Sequence, residues 1–150
     1  MNLTEGISTK NFFENAYKEV SISDERKSVL ISIAHFITKE RLDLKKVRVN
    51  FICTHNSGRS QMAQIWAHYA VQYFNLKRIK SYSGGTEPKR MHKNAIMALQ
   101  LAGFKFKLLT FSHENPIYEV SFVDGKKTIT CFSKAFSDPI NKKPFVAITC

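Results

Sequence analysis

A cysteine, an arginine and a serine fall within one eight-residue run, Cys53-Thr54-His55-Asn56-Ser57-Gly58-Arg59-Ser60. A thiol attacks as its thiolate, and an ordinary thiol is mostly protonated at neutral pH. Loop amides and a helix start behind them place positive potential where the sulfur sits. Arg59 adds a permanent charge whose planar fork can grip two oxygens at once. Ser60 can donate its hydroxyl to the sulfur. Gly58 lets the backbone curl, and Asn56 tolerates the left-handed conformation that a nest of amides requires. The chemistry these residues suit is displacement by Cys53 on phosphorus or arsenic. Thr54, His55, Asn56, Ser57, Gly58 and Arg59 would cradle the oxyanion while Cys53, Arg59 and Ser60 act on it. A covalent intermediate splits one hard step into two, and preorganised donors supply much of the rate.

Such a loop works only if a strand delivers the cysteine and a helix opens at the arginine. Arg48–Cys53 is read as that strand and Gln61–Phe74 as that helix, with Met62, Trp66, Tyr69 and Tyr73 on one face. Ile79–Ser83 is a second strand ending at Gly84-Gly85. Pro88 precedes a further helix over Lys89–Leu101, closed by Gly103 just past its end. Strand, helix, strand, helix predicts a parallel sheet with helices on its faces. Ile117–Val123 and Thr128–Phe132 flank Asp124-Gly125, a dipeptide suited to a hairpin turn. Phe145–Thr149 is one more apolar strand.

Upstream, Ser23 is placed to cap a helix whose first turn carries Asp24 and Glu25. Leu30, Ile33, Ala34 and Ile37 recur at helical spacing and predict a face packed inward. With a shorter helix around Asn11–Val20, residues 1–45 read as a helical extension that covers the sheet. A parallel strand normally runs on into a crossover helix, whereas this chain stops at Cys150. The expectation is one domain over residues 1–150, with 47–150 an incomplete α/β core and the sequence truncated.

Composition bounds the partners. The net charge of +11 invites nucleic acid, but the basic residues are scattered as doublets such as Lys45-Lys46, Lys89-Arg90, Lys126-Lys127 and Lys142-Lys143. No basic helix or aromatic-studded basic strand stands out, so nucleic acid is not expected. No apolar stretch approaches the roughly 20 residues that span a bilayer, and the N-terminus lacks a signal-peptide pattern. A cytoplasmic protein without a membrane partner is expected. Cys53, Cys131 and Cys150 are widely spaced and odd in number, which argues against a zinc site or a disulfide scaffold. No metal and no cofactor are implied.

The run Phe51–Ala63 resembles the signature loop of the low-molecular-weight protein-tyrosine-phosphatase superfamily. Its thioredoxin-coupled arsenate reductase branch is the closer match through Asn56-Ser57, Arg59-Ser60 and Gln61-Met62-Ala63. Tyr82-Ser83-Gly84-Gly85-Thr86-Glu87 is similar to the second strand and following loop of both branches, Asn94-Ala95-Ile96 to the next helix start, and Val146–Cys150 to the third strand. The resemblance implies a flavodoxin-like parallel sheet flanked by helices, to which the N-terminal helical extension and an inserted β-hairpin are additions. It also implies Cys53 as nucleophile, Arg59 as oxyanion clamp, Ser60 as thiolate stabiliser and Asn56 as loop organiser.

Two loop positions depart from the family, where Gly and Cys commonly stand in place of His55 and Gly58. The family's general acid is an Asp, usually before Pro, in a loop after the last strand, and on this reading it is absent. Asp138-Pro139 precedes the final strand and reads as a turn. His55, His92 and His113, each without a visible partner, read as structural or exposed. The activity implied is hydrolysis of phosphorylated substrates through a cysteinyl-phosphate. The alternative is reduction of arsenate with thioredoxin, Cys150 resembling the second redox cysteine of that branch, and a further alternative is an inactive or phosphate-binding fragment. Cys131 reads as a packed core cysteine.

Overall fold

The computed structural model describes residues 8–43, 46–123 and 125–150. In chain order the elements are α1 (Thr9–Glu19), α2 (Asp24–Asp43), β1 (Val47–Cys53), α3 (Arg59–Tyr73), β2 (Ile79–Gly85), α4 (Lys93–Leu101), β3 (Lys105–Thr110), β4 (Ile117–Ser121), β5 (Ile129–Cys131) and β6 (Val146–Thr149). β1 is the centre of a parallel sheet of order β2-β1-β6. The α/β architecture expected from the alternation is therefore present, with the cysteine at the carboxyl end of the central strand.

Beyond α4 the chain forms a second sheet, antiparallel and of order β3-β4-β5. The expected hairpin is its β4–β5 half, although both strands are shorter than predicted and Asp124 lies outside the described residues. β3 is an element the sequence reading missed. Its Phe104-Lys105-Phe106-Lys107 alternation carries the period of a half-buried strand. The main apolar core lies between this sheet and the helices: Ile65 and Tyr69 from α3, Ala95 and Leu99 from α4, with Phe104, Val120 and Cys131 from the sheet side. Trp66 meets Phe104 edge to face at a centroid distance of 4.9 Å, and Tyr69 meets Phe122 at 4.9 Å.

The N-terminal helices cover the sheet only in part. α1 packs on α3, where Phe13 lies 5.2 Å from Tyr69 and 5.0 Å from Tyr73. Ser23 does cap α2, its Oγ accepting from the Arg26 amide at 3.2 Å. Yet no described side chain of α2 is buried, and Leu30, placed on the predicted inward face, is 41% exposed. The physical reason is that Val29-Leu30-Ile31, Ile33-Ala34 and Phe36-Ile37 spread apolar surface over more than half of the helix circumference rather than along one narrow stripe. α2 approaches the sheet around Phe36 and Glu40, next to Val47 and Arg48. No described helix is long and apolar enough to cross a membrane.

Candidate active site

β1 and β2 pair in register to their last residues, so that Cys53 stands opposite Gly85. Gly84 and Gly85 are the last two residues of β2 instead of following it, and packing explains both. A side chain on Gly84 would run into the Phe136 backbone; one on Gly85 would meet Thr54 O at 2.6 Å and the Asn56 amide at 2.9 Å. The glycine pair lets the edge of β2 close against the loop that leaves β1.

That loop is held by its carbonyls. Cys53 O accepts from the Thr86 amide at 3.2 Å, Thr54 O from Glu87 at 2.8 Å, His55 O from Lys89 at 2.8 Å and Ser57 O from His92 at 2.8 Å. Gly58 O accepts the first helical bond of α3, from Met62 at 2.9 Å. Asn56 O takes the Gln61 Nε2 at 2.7 Å and the Ser133 hydroxyl at 2.6 Å. Each carbonyl from Cys53 to Gly58 is thereby turned outward, and in a trans peptide the following N–H then turns the other way. The amides of His55, Asn56, Ser57 and Gly58 donate to no oxygen among the described residues. They form an inward-facing nest of the kind that binds anions.

The same contacts explain why α4 starts at Lys93 and not at Lys89 as predicted. Thr86, Glu87, Lys89 and His92 spend their amides on the loop carbonyls, and residues 86–92 run outside any helix as a strap. The helix then begins at His92, whose Nδ1 accepts from the Asn94 amide at 3.2 Å. Gly103 ends it as expected, with φ of 91°.

Asn56 organises the centre. Its φ of 46° is left-handed, a conformation asparagine tolerates. Fully buried, it donates through Nδ2 to Ser60 Oγ at 2.8 Å and accepts the Lys134 amide on Oδ1 at 3.0 Å. Ser60 Oγ in turn lies 3.0 Å from Cys53 Sγ. Burial opposes ionisation of the Cys53 thiol, but the Ser60 hydroxyl and the amides of Ser60, Asn56 and His55 outweigh it together. The thiol is held below its ordinary pKa. Arg59 is exposed, and its charge is felt at Cys150.

The structure thus brings Cys53, Asn56, Ser60 and the loop amides into one hydrogen-bonded unit. Ser133 and Lys134, which sequence reasoning missed, complete it from the segment after β5, and Asn115 fixes Ser133 by a reciprocal pair of bonds at 2.7 and 3.1 Å. The only local signal for such a closure is the Gly84-Gly85 doublet. His55 extends to Glu87 at 4.0 Å, His113 stacks edge-on against Phe111 at 4.9 Å, and His92 is the α4 cap. Asp138 turns on itself: Oδ1 accepts the Ile140 amide at 3.0 Å, and the carbonyl accepts from Asn141.

The remaining thiols differ sharply. Cys131 is fully buried beneath the antiparallel sheet, and burial pushes its pKa up to about 12. Cys150 follows Thr149, the register partner of Ile52, and its amide donates to Ile52 O at 2.9 Å. It therefore lies just past the end of β6, one position beyond the paired residues and beside the end of β1 that carries Cys53. Burial and the neighbouring Cys53 charge raise its pKa, against the pull of Arg59.

Residues 48–117 match the family model described as low molecular weight phosphotyrosine protein phosphatase. No curated protein matches the chain. The matched stretch runs from β1 through the loop, α3, β2 and α4 to the first residue of β4, so that the nest, the strap and the glycine pair all lie within it. Residues 48–117 are thus a domain of the low molecular weight phosphotyrosine phosphatase family.

Proposed function

We propose that the chain is a cysteine-dependent phosphatase cleaving phosphate monoesters through a cysteinyl-phosphate at Cys53. The observation that carries this reading is the loop from Cys53 to Gly58, with its carbonyls tied outward and its amides facing inward around a low-pKa thiol. A phosphoryl group seated there would accept those amides and the Arg59 fork on its equatorial oxygens. Cys53 attacks phosphorus, the S–P bond forms and the P–O bond to the leaving group breaks. A water oxygen then attacks phosphorus, the S–P bond breaks, and inorganic phosphate leaves as the thiolate returns. Ser60 stabilises that thiolate in both steps. An aryl phosphate suits the site because its phenolate departs without needing a strong proton donor.

A second reading is arsenate reduction, favoured by the position of Cys150 beside the end of β1 that carries Cys53. Cys53 would bond to arsenic with loss of a hydroxyl as water. Cys150 would then attack the Cys53 sulfur, leaving a disulfide as the electron pair passes to arsenic and arsenite departs. A dithiol such as thioredoxin would reduce the disulfide.

One set of assays separates the two. With p-nitrophenyl phosphate, turnover is expected in the native chain and a loss of at least about a thousandfold in Cys53→Ser. Absence of turnover in the native chain overturns the phosphatase. With arsenate and thioredoxin, arsenite release that disappears in Cys150→Ser while aryl phosphate hydrolysis continues would select the reductase.

A further inference from the structure

Away from the nest, the two sheets leave a groove of about 1020 Å³ between them. Its walls are two unpaired strand edges, β2 along Ile79–Tyr82 and β5 along Ile129–Thr130, and it is lined from α3 by His68, Val71 and Gln72. The edges converge where the chain leaves β5 and bridges to β2 at Gly85 and Ala135. Lys46, Lys77, Arg78, Lys80, Lys126 and Lys127 line the groove, and no acidic side chain does so among the described residues.

Lysines along an open edge have an ordinary use, since they discourage edge-to-edge aggregation. Lys134 does not fit that use. It lines the groove near its closed end, only 4% exposed, and forms no ion pair among the described residues. Its ammonium group reaches the Phe132 carbonyl at 3.2 Å and the Phe132 ring at 4.7 Å. Burial brings its pKa down to about 8, against a weak upward pull from Cys131 and Asp138. A buried cation so placed is poorly compensated, and an incoming carboxylate would complete it.

We propose that this groove binds an extended acidic peptide segment of a partner protein, paired to the open edge of β2 and anchored by a carboxylate on Lys134. Strand addition takes its affinity from main-chain hydrogen bonds and its selectivity from alternate side chains. Here one set of side chains would face the apolar groove residues Val71, Ile79 and Ile129, and the other the lysine rim. A single-stranded nucleic acid would satisfy the same charges but needs stacking platforms, and among the described residues Tyr82 is the one Phe, Tyr or Trp lining the groove. The site is independent of turnover at Cys53. It is joined to the nest all the same, because the Lys134 amide holds Asn56 Oδ1.

The test titrates fluorescein-labelled decapeptides of alternating Glu and Val, and of alternating Gln and Val, against the purified chain by anisotropy. The Glu peptide is expected to bind at least about tenfold tighter at low salt and to weaken as salt rises. Lys80→Glu and Lys127→Glu, both at exposed positions, are expected to cut its affinity about tenfold or more while thermal unfolding stays unchanged. Lys134→Met, which keeps an unbranched apolar stem, is expected to do the same. Equal affinity for the two peptides, or native affinity in the two charge reversals, overturns the proposal. Native affinity in a folded Lys134→Met overturns it as well. So does a labelled oligothymidine that binds tighter than the Glu peptide and loses affinity in the same variants, an outcome that assigns the groove to nucleic acid.

Discussion

Helix α3 faces two regions built on opposite physics. Toward the loop and β2 it presents Ser60, Gln61 and Gln64, all buried and all polar. Ser81 Oγ donates to Gln64 O at 2.9 Å, and Ser83 Oγ donates to Gln64 Oε1 at 2.5 Å. Toward the antiparallel sheet it presents Ile65, Trp66 and Tyr69, packed among Phe13, Phe104 and Phe122. The aromatic side is held by burial, which is strong and non-directional. The polar side is held by hydrogen bonds, each contributing modestly to stability but fixing an angle as well as a distance. A nest of amides needs angles. The molecule stores its stability on one face of α3 and its geometry on the other.

This contrast can be broken by experiment. The largest stability effect is expected at Phe104, 3% exposed in the aromatic core. Phe104→Ala should cost about 3–5 kcal/mol in urea unfolding. Phosphate affinity of the folded fraction, read by calorimetry, should stay within about twofold of the native value. Asn56→Ala should cost less, about 1–3 kcal/mol, because it strands the Lys134 amide and places alanine at a left-handed φ. Phosphate affinity should nevertheless fall more than about tenfold, and native affinity in this variant would show that the nest does not depend on the polar face.

Ser60→Ala sharpens the comparison at the smallest cost, below about 1 kcal/mol at neutral pH. Alkylation of Cys53 by iodoacetamide, followed against pH, should show a midpoint below that of an ordinary thiol in the native chain. Loss of the Ser60 hydroxyl should move it up. The sign follows from linkage. A thiol pKa lowered by folding contributes stability that is fully present above the unfolded thiol pKa, and that contribution is lost as pH falls through the folded value. An unchanged midpoint in Ser60→Ala would place the thiolate stabilisation on the amides alone.

What could be read in advance was what short stretches of chain decide for themselves. A β-branched strand running into Cys53, a glycine before Arg59 and a long amphipathic helix were legible because each depends on neighbours a few residues away. Gly103 ended α4 where expected for the same reason. The failures concerned what the rest of the molecule does with a segment. Lys89–His92 had a helical pattern, but the loop carbonyls took the Lys89 and His92 amides. The spacing of Leu30, Ile33, Ala34 and Ile37 promised a buried face, but apolar residues beyond that stripe left α2 with no single narrow surface to turn inward. β3 was overlooked although its alternation was visible, since its partner strand lies beyond a connection of several residues.

By itself the sequence determined the reactive group and its immediate support: a thiol, a serine hydroxyl, an arginine and a run of small residues that can bend around an anion. Those choices depend on residue chemistry and on backbone freedom within one turn. The tertiary structure alone decided that the loop's amides face inward, because the bonds that turn its carbonyls outward come from Thr86, Glu87, Lys89, His92 and Ser133. It alone placed Cys150 beside the end of β1 that carries Cys53 and left a lysine-lined groove between two open strand edges. Hydrogen bonds between residues far apart in the chain leave no periodic trace in the sequence, and the orientation of this nest rests on them.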